Sequence, residues 1–485
     1  MGVALLLAGL ALIVSHQPTE HLIRWMNTLL KKDLNVHFWE IGLRQTGVDL
    51  LYFSFVIFLF LKFYNTHPSR VLVISYSGFI FLFLCDVIKY SVNIPMNSPG
   101  TDDYMVFLNF LNQYNSSKTI SEIFVQFDDT REIFRRFLAV ILFHLHAFNF
   151  KAVILFANCC LMGTMYLFYK SIAIERTHKD LLFLVVCILV LQFEYYDATL
   201  AASASTAAIC PIFFTFSAFY FFSKESTSHL WMGILCSLLY VAENTIGFLV
   251  LIMGILLLLQ KGNKKGALTL LAVSIPVSVI YFYNFQFDLQ HHLSSAGDEA
   301  VLVKIGRCMV YGFIFIGSSM QFFNNVAIPL VTGIILWGFL LFLFYKKYFI
   351  KNAPVFYTLL FLLSISLLIP FFREKSSLQP ALSIRYSFFS IMAIAASLIA
   401  IAELVGPDWR KKLFYPILSL SLLYHISGNL FFLPEAVIRK EKLMAHLQEV
   451  KAEKPVPDSL VNVNSNKEKM ILKEALKCGY YDPGY

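Results

Sequence analysis

Apolar residues in this chain are gathered into long blocks, and polar residues are confined mostly to the gaps between them. The blocks lie at about 3–16, 48–64, 71–90, 149–170, 181–196, 205–223, 229–241, 245–260, 266–285, 325–345, 354–372, 386–404 and 412–432. A membrane-spanning helix needs about 20 apolar residues and tolerates about 17, so most blocks have the length of a span and several are short. Residues 229–260 read as two helices, or as one long helix broken in Ala242-Glu243-Asn244-Thr245. The run 305–322 reads as a further span or a re-entrant segment. The pattern predicts an all-α fold, a polytopic transmembrane helical bundle of about 11–13 spans.

Charge in the gaps orients this layout. Lys62 and Arg70 bracket one gap, and Lys170, Arg176 and Lys179 occupy a second. Lys261, Lys264 and Lys265 form a third cluster, Lys346, Lys347 and Lys351 a fourth, and Arg410, Lys411 and Lys412 a fifth. All five share one side if 229–260 crosses twice and 305–322 does not cross. The positive-inside tendency makes that side the cytoplasm. The segments 91–148, 197–204, 286–324, 373–385 and the tail then lie opposite. The expected organisation is a transmembrane domain over 1–432, with a large extracytoplasmic loop at 91–148, and a polar extracytoplasmic tail over 433–485.

Two stretches on that opposite side carry helical periodicity. Residues 17–47 place Leu22, Trp25, Met26, Leu29 and Leu30 among Arg24, Lys31 and Lys32, the spacing of an amphipathic helix on a membrane surface. In the first large loop, Tyr104, Phe107, Leu108 and Leu111 repeat likewise, and a second surface helix is expected from Asp129 through "REIFRRFLAVILFHLHAF". The tail is expected to be helical near "EAVIRKEKLMAHLQEV".

Composition narrows the class. The chain is 58% hydrophobic and 14% charged, against roughly 25% charged in a soluble domain. Its net charge of +8 sits in the loop clusters and does not mark a nucleic-acid partner. Eight cysteines show no zinc-ligand spacing and read as small buried hydrophobes. The N-terminal block "MGVALLLAGLALIVSHQ" lacks a basic region before its apolar core, so it reads as a short first helix. Leu6 stands where a myristoylation motif needs Ser or Thr. There is no P-loop, G-x-G-x-x-G, H-E-x-x-H or G-x-S-x-G signature.

Five polar clusters could carry chemistry. Asp102 and Asp103 stand side by side at a membrane edge, followed by Tyr104. They suit a helix N-cap, or a general base or metal-held carboxylate at the interface. In "FDDTREIFRR", Arg131 and Arg135 lie four apart on one helix face; the segment reads as a solvated charged face with Glu132 paired to Arg135 or Arg136, or as an arginine that contacts a phosphate or holds the acid pair. Gln192 and Glu194 close one block, and Glu243 interrupts another; intramembrane acids usually face a cavity. Arg373, Lys375 and Arg385 crowd one extracytoplasmic loop, against the positive-inside tendency, and Arg385-Tyr386 opens the next helix. An arginine there snorkels to head groups or grips a lipid phosphate. The pairs His144/His146 and His291/His292 have no third metal ligand in sequence.

The order of these pieces resembles the GT-C superfamily of membrane glycosyltransferases. The resemblance rests on "TDDY" at Asp102-Asp103, "TREIFRRFL", "QFEY" and "RY" at Arg385-Tyr386, and spans about residues 48–405 in layout. The chain departs from that pattern in two places: Tyr195 stands where Asn is usual, and no His accompanies Glu132 and Arg131. The resemblance implies a GT-C-like fold with surface helices in the first extracytoplasmic loop. It implies an enzyme of the bacterial inner membrane, working on the extracytoplasmic side. The donor would be a sugar on a polyprenyl phosphate, and the acceptor a cell-envelope glycan, lipid or protein. Asp102, preferred over Asp103, would be the base, or the pair would hold a divalent cation such as Mg or Mn. Arg385 would bind the donor phosphate, with Arg131 and Arg135 assisting. Tyr104, Gln192, Glu194, Glu243, Arg373 and Tyr386 would line the substrate cavity. The acid pair and Arg385 should then lie within about 15 Å in one groove. Two other readings share these residues: a transporter or flippase of lipid-linked sugars, and an outer-leaflet polysaccharide polymerase or ligase.

Overall fold

Each apolar block of the sequence carries a helix in the computed structural model, which describes residues 2–14, 27, 36–92, 102–127, 130–145, 147–286, 301–321, 325–373, 378–451 and 465–482. Among these residues there is no β-strand, only two isolated bridges. Nine helices among the described residues are long and apolar enough to cross a membrane: Val36–Phe63, Pro68–Tyr90, Phe150–Ser171, Ala202–Phe222, Lys264–Phe282, Ala327–Tyr345, Ala353–Pro370, Ile384–Leu404 and Pro407–Ala445. They mark an integral membrane protein. The apolar helices Gly247–Gln260 and Ile305–Ile316 are shorter.

The break in 229–260 makes two helices. Thr227–Glu243 ends on Asn244 in extended conformation, and the Asn244 carboxamide accepts from the Ile246 amide at 2.9 Å. This local turn competes with continued helix. Gly247 then starts the next helix where a side chain would lie 2.5 Å from the Val241 nitrogen, so only glycine lets the chain double back this tightly. Within the run 305–322, residues 305–316 belong to the helix Val301–Ile316, packed against Ala327–Tyr345 and Ala353–Arg373, and a short 3-10 turn, Ser318–Met320, follows.

Three boundaries differ from the sequence expectation. The stretch 36–47 is no surface helix but the start of the continuous helix Val36–Phe63, in which Phe38, Trp39, Gln45 and Thr46 are buried. The rest of 17–47, apart from Asn27, lies outside the described residues. The last span does not end at 432; nothing breaks it before Lys451, and Pro407–Lys451 is one helix. The second loop helix begins at Ile133 rather than Asp129; just before it, Phe127 and Thr130 exchange backbone hydrogen bonds.

The chain forms two compact units. One comprises 1–93, 172–196 and 401–442, and the other 94–171, 197–400 and 443–485. In the first, Val36–Phe63 packs on Gly2–Val14 and Pro68–Val87, and the latter on Arg176–Val190. Its basic segments converge: the Arg410 guanidinium donates to the Ala402 carbonyl, His178 meets Phe414, and the Lys179 ammonium reaches the Ile172 carbonyl.

In the second unit, Ala202–Phe222 sits centrally, against Phe150–Ser171, Thr227–Glu243, Gly247–Gln260 and Ala353–Arg373. Its run of small residues Ala202-Ser203-Ala204-Ser205-Thr206 is buried. In lipid, helices associate through such close backbone packing rather than through apolar burial as such. The unit has two distinct ends. At one, Gln260 donates to the Phe349 carbonyl at 2.8 Å, Tyr357 to Gln260 at 2.9 Å, and Asn352 to the Ser171 carbonyl at 2.9 Å. The clusters Lys261/Lys264/Lys265 and Lys346/Lys347/Lys351 flank these contacts, and Lys170 adjoins Ser171. The other end gathers the first large loop, the 243–246 turn, the 281–286 segment and the start of Ile384–Leu404, and it carries the acid pair.

Candidate functional site

The acidic motif sits on a small hydrophobic platform. Tyr104, Phe107, Leu108 and Leu111 pack with Phe148 and Phe150, and the C-terminal helix Ser465–Lys477 closes over them through Ile471, Leu472 and Ala475. Tyr480 and Tyr481 are buried in the same cluster, and the Phe148 amide donates to the Tyr480 carbonyl at 2.8 Å. The C-terminal segment is therefore part of the wall around the acid pair. Its signal in the sequence is "NKEKMILKEALK", whose Ile471, Leu472 and Ala475 share one helix face.

The two aspartates have different fates. Asp103 is 1% exposed, and its carboxylate accepts from the Ser203 amide at 2.6 Å. Ser203 lies in the first turn of Ala202–Phe222, so Asp103 caps a distant helix rather than its own, where its charge is favoured. Asp102 points outward. Its carboxylate meets the Arg385 guanidinium at 2.9 Å, with the side chains 50% and 35% exposed. The two groups expected to face each other across a groove are in direct contact. Arg385 stands in the first turn of Ile384–Leu404, whose start is held by Gln321 donating to Ser387 at 2.8 Å and by the Ser319–Ser390 pair at 2.7 Å. Tyr386 is buried with its ring 4.5 Å from that of Phe315.

A third carboxylate joins them. Half-buried Glu468, on the C-terminal helix, is pushed above its ordinary value, first by burial and then by the charge of Asp102. Burial also raises the Tyr104 phenol, with Glu468 and Asp103 adding to it. Tyr104 thus stays neutral within the platform.

Beneath lies a buried ionic cluster. Arg135 is clasped by Glu132 at 2.8 Å and Glu243 at 2.6 Å, all nearly inaccessible. Burial opposes the charge on Arg135, but Glu132 and Glu243 outweigh it and hold the guanidinium above its ordinary value. Arg131 is spent on structure: its amide donates to the Tyr281 hydroxyl at 3.0 Å and its guanidinium to the Tyr283 carbonyl. Arg136 donates to the carbonyls of Glu122 and Val125. On the same helix, Ile133–Leu145, Phe137, Ile141 and Leu145 stand four apart and are exposed. The charged face turns inward and the apolar face outward, as suits a helix bordering lipid.

Of the remaining expected site residues, Gln192 and Glu194 lie in the first unit. There both are buried; Gln192 donates to Glu194 at 3.3 Å, and Tyr424 donates to the same carboxylate. Gly428 leaves room for Gln192, into which any side chain would collide. The Arg373 side chain, Lys375, Asp128, Asp129, His146, His291 and His292 lie outside the described residues. Glu468 and Ser203 carry no signal in the sequence as site residues, whereas the Glu132–Arg135 pair is one the helix spacing predicts.

A resident divalent cation does not suit the acid pair. Asp102 already faces the cation of Arg385, and Asp103 is engaged by the Ser203 amide. Among the described residues no three His, Cys, Asp or Glu side chains converge as a metal-binding group. What the arrangement offers is an accessible carboxylate beside an accessible guanidinium, on a buried and rigid support. No protein-family model, curated protein or solved structure matches the chain.

Proposed function

We propose that this chain is a membrane glycosyltransferase of GT-C type. It takes a sugar from a polyprenyl-phosphate-linked donor and passes it to a cell-envelope glycan, lipid or protein. The proposed location is the bacterial inner membrane, with the reaction on the side away from the lysine clusters. The observation that carries the reading is the Asp102–Arg385 pair, part-exposed at the end of the second unit opposite those clusters. A lipid-linked donor keeps its chain in the bilayer and its phosphate at the interface. Its leaving phosphate needs a fixed cation, and the attacking hydroxyl needs a base.

The chemistry follows from the pair. In the resting protein Asp102 satisfies Arg385. A donor phosphate takes over the guanidinium and releases the carboxylate, which stays close by. The acceptor hydroxyl passes its proton to Asp102 as its oxygen bonds the anomeric carbon. The bond from that carbon to the phosphate oxygen breaks, and Arg385 receives the charge that develops on the phosphate. Asp103 is excluded from this role by its burial and its cap, and acts as a positioning residue. Arg135, clasped between two carboxylates, supports the site rather than gripping phosphate.

The test uses the full chain in lipid nanodiscs with a polyprenyl phosphate, and the uncharged polyprenol as control. The phosphate should be retained over the polyprenol, and Arg385→Ala should remove that preference. Equal retention of both lipids would defeat the reading. Glu243, fully buried beside Arg135, favours a second reading as a transporter of lipid-linked sugars, since buried intramembrane acids mark transport pathways. That reading predicts movement of an intact donor across the bilayer.

A further inference from the structure

Three spans and a connecting segment of the first unit each bring polar groups to one point inside the bundle. Asp49 comes from Val36–Phe63, Asp86 from Pro68–Val87, and His425 with Asn429 from Pro407–Lys451. Each ionisable residue is isolated in an apolar stretch: "GVDLLYF", "FLCDVIK" and "LLYHISG". An ionisable group inside a membrane bundle is costly and usually serves a pathway or a ligand.

The residues line one cavity together with Tyr52, Phe79 and Phe193, and about 20 Å³ of it is accessible to the centre of a water molecule. That is room for one water, with polar partners to hold it. Asn429 is the hub. Its carboxamide nitrogen lies 3.0 Å from the Asp49 carboxylate and 2.9 Å from His425 Nε2, and its oxygen accepts from the Phe193 amide at 3.3 Å. His425 Nε2 also lies 3.7 Å from the other Asp49 oxygen. Asp49 is 8% exposed, and His425 3%. His425 Nδ1 is buried with no hydrogen-bond partner among the described residues. A water-sized void beside an unpartnered nitrogen and a carboxylate offers a polar occupant a place to bind.

We propose that this cavity is a proton-binding site, with Asp49 and His425 sharing the proton and Asp86 at its edge. The geometry supplies two hydrogen-bond states. With neutral imidazole, Nε2 accepts from Asn429. When hydronium passes a proton to Nε2, an N–H bond forms on His425 and water is left; Nε2 then donates to Asp49 in an imidazolium–carboxylate pair. Asp86 is only partly buried and accepts from Gln45 at 3.0 Å, so it is the most accessible carboxylate of the cavity. Histidine is the side chain suited to such exchange near neutral pH. The other titratable groups near the cavity are accounted for: Tyr52 donates to the Ser75 carbonyl, Glu194 is held by Tyr424 and Gln192, and Lys89 lies beside Asp86 against Tyr90. Asp49, Asp86 and His425 line the cavity but do not form a metal-binding group, and no such group is found among the described residues, so a proton fits the site better than a metal ion. This proposal does not depend on the glycosyltransferase reading.

The test is nitrogen NMR on the full chain, labelled with ¹⁵N-histidine, in nanodiscs. The His425 signal is the one lost in His425→Gln; should that variant fail to fold, its contact with the Phe79 ring, whose centre lies 4.9 Å away, assigns it. The signal should pass from neutral to doubly protonated imidazole as the medium is acidified. In Asp49→Asn the share of doubly protonated imidazole at a given acidic pH should change, because its carboxylate partner is gone. A His425 signal fixed in one protonation state throughout the acidification would overturn the proposal. So would a transition unmoved in Asp49→Asn.

Discussion

Arg385 and Asp102 meet at 2.9 Å although 283 positions separate them, and both remain part-exposed. Exposed pairs of this kind contribute roughly 0–1 kcal/mol to stability. The pair is therefore a poor investment for folding and a ready one for ligand exchange. Asp102→Asn should leave the melting temperature nearly unchanged while transfer falls by about 10²-fold or more, the usual contribution of a general base. Parallel thermal unfolding and transfer assays check this; a loss of stability matching the loss of activity would reduce the pair to a structural contact.

Asp103 should behave in the opposite way. Its carboxylate caps Ala202–Phe222 through the Ser203 amide. Replacing a helix cap by alanine costs about 0.5–2 kcal/mol, and burial places Asp103 toward the upper part of that range. Asp103→Ala should lower the unfolding midpoint, and Asp103→Asn should recover part of it, since its amide oxygen still accepts. Equal stability of the alanine variant and wild type would remove the cap from the account.

The buried cluster gives a larger effect. Removing one partner of a buried ion pair costs about 3–5 kcal/mol, because the other charge is stranded. Arg135→Ala strands both Glu132 and Glu243 and should be the most destabilising of these variants. The combined Arg135→Met, Glu132→Gln, Glu243→Gln variant should fold better than Arg135→Ala alone. The reverse order in a thermal-unfolding comparison would show that the charges are not acting as a unit.

Docking of the C-terminal helix should depend on pH through Glu468. Burial and the charge of Asp102 raise its carboxyl above the ordinary 4.5, so the docked state holds the proton more tightly than the undocked one. That contribution is fully present below 4.5 and declines as pH rises from there through the raised value. Limited proteolysis of the segment after Lys451 should accelerate across this window in wild type. In Glu468→Gln the rate should stay flat; an unchanged pH dependence would place the titration elsewhere.

The helices were legible in the sequence because each buries its backbone polar groups within one apolar block. The shared end of the lysine clusters within each unit was legible for the same reason, since charge cannot enter the blocks. The contact of Asp102 with Arg385 was foreseen only as proximity. What the sequence concealed is which way mixed faces turn. Ile133–Leu145 reads as amphipathic with its charges toward water, yet Arg135 and Arg136 are buried and Phe137, Ile141 and Leu145 are exposed. In lipid the apolar face has no reason to hide, so periodicity fixes the faces without assigning them. The Asp49–His425 site escaped because its members are single residues on separate spans, joined only by packing. The wall formed by Ser465–Lys477 escaped because a polar helix gives no block to notice.

The account rests most directly on whether the sugar leaves its lipid. The decisive measurement is release of free polyprenyl phosphate from a panel of polyprenyl-phosphate-linked sugars, supplied with membrane glycan acceptors to the full chain in proteoliposomes. Wild type should release it with at least one donor, and Asp102→Asn and Arg385→Ala should not. Passage of the donor to the opposite leaflet, with its glycosidic bond intact, would contradict the account and make the protein a transporter.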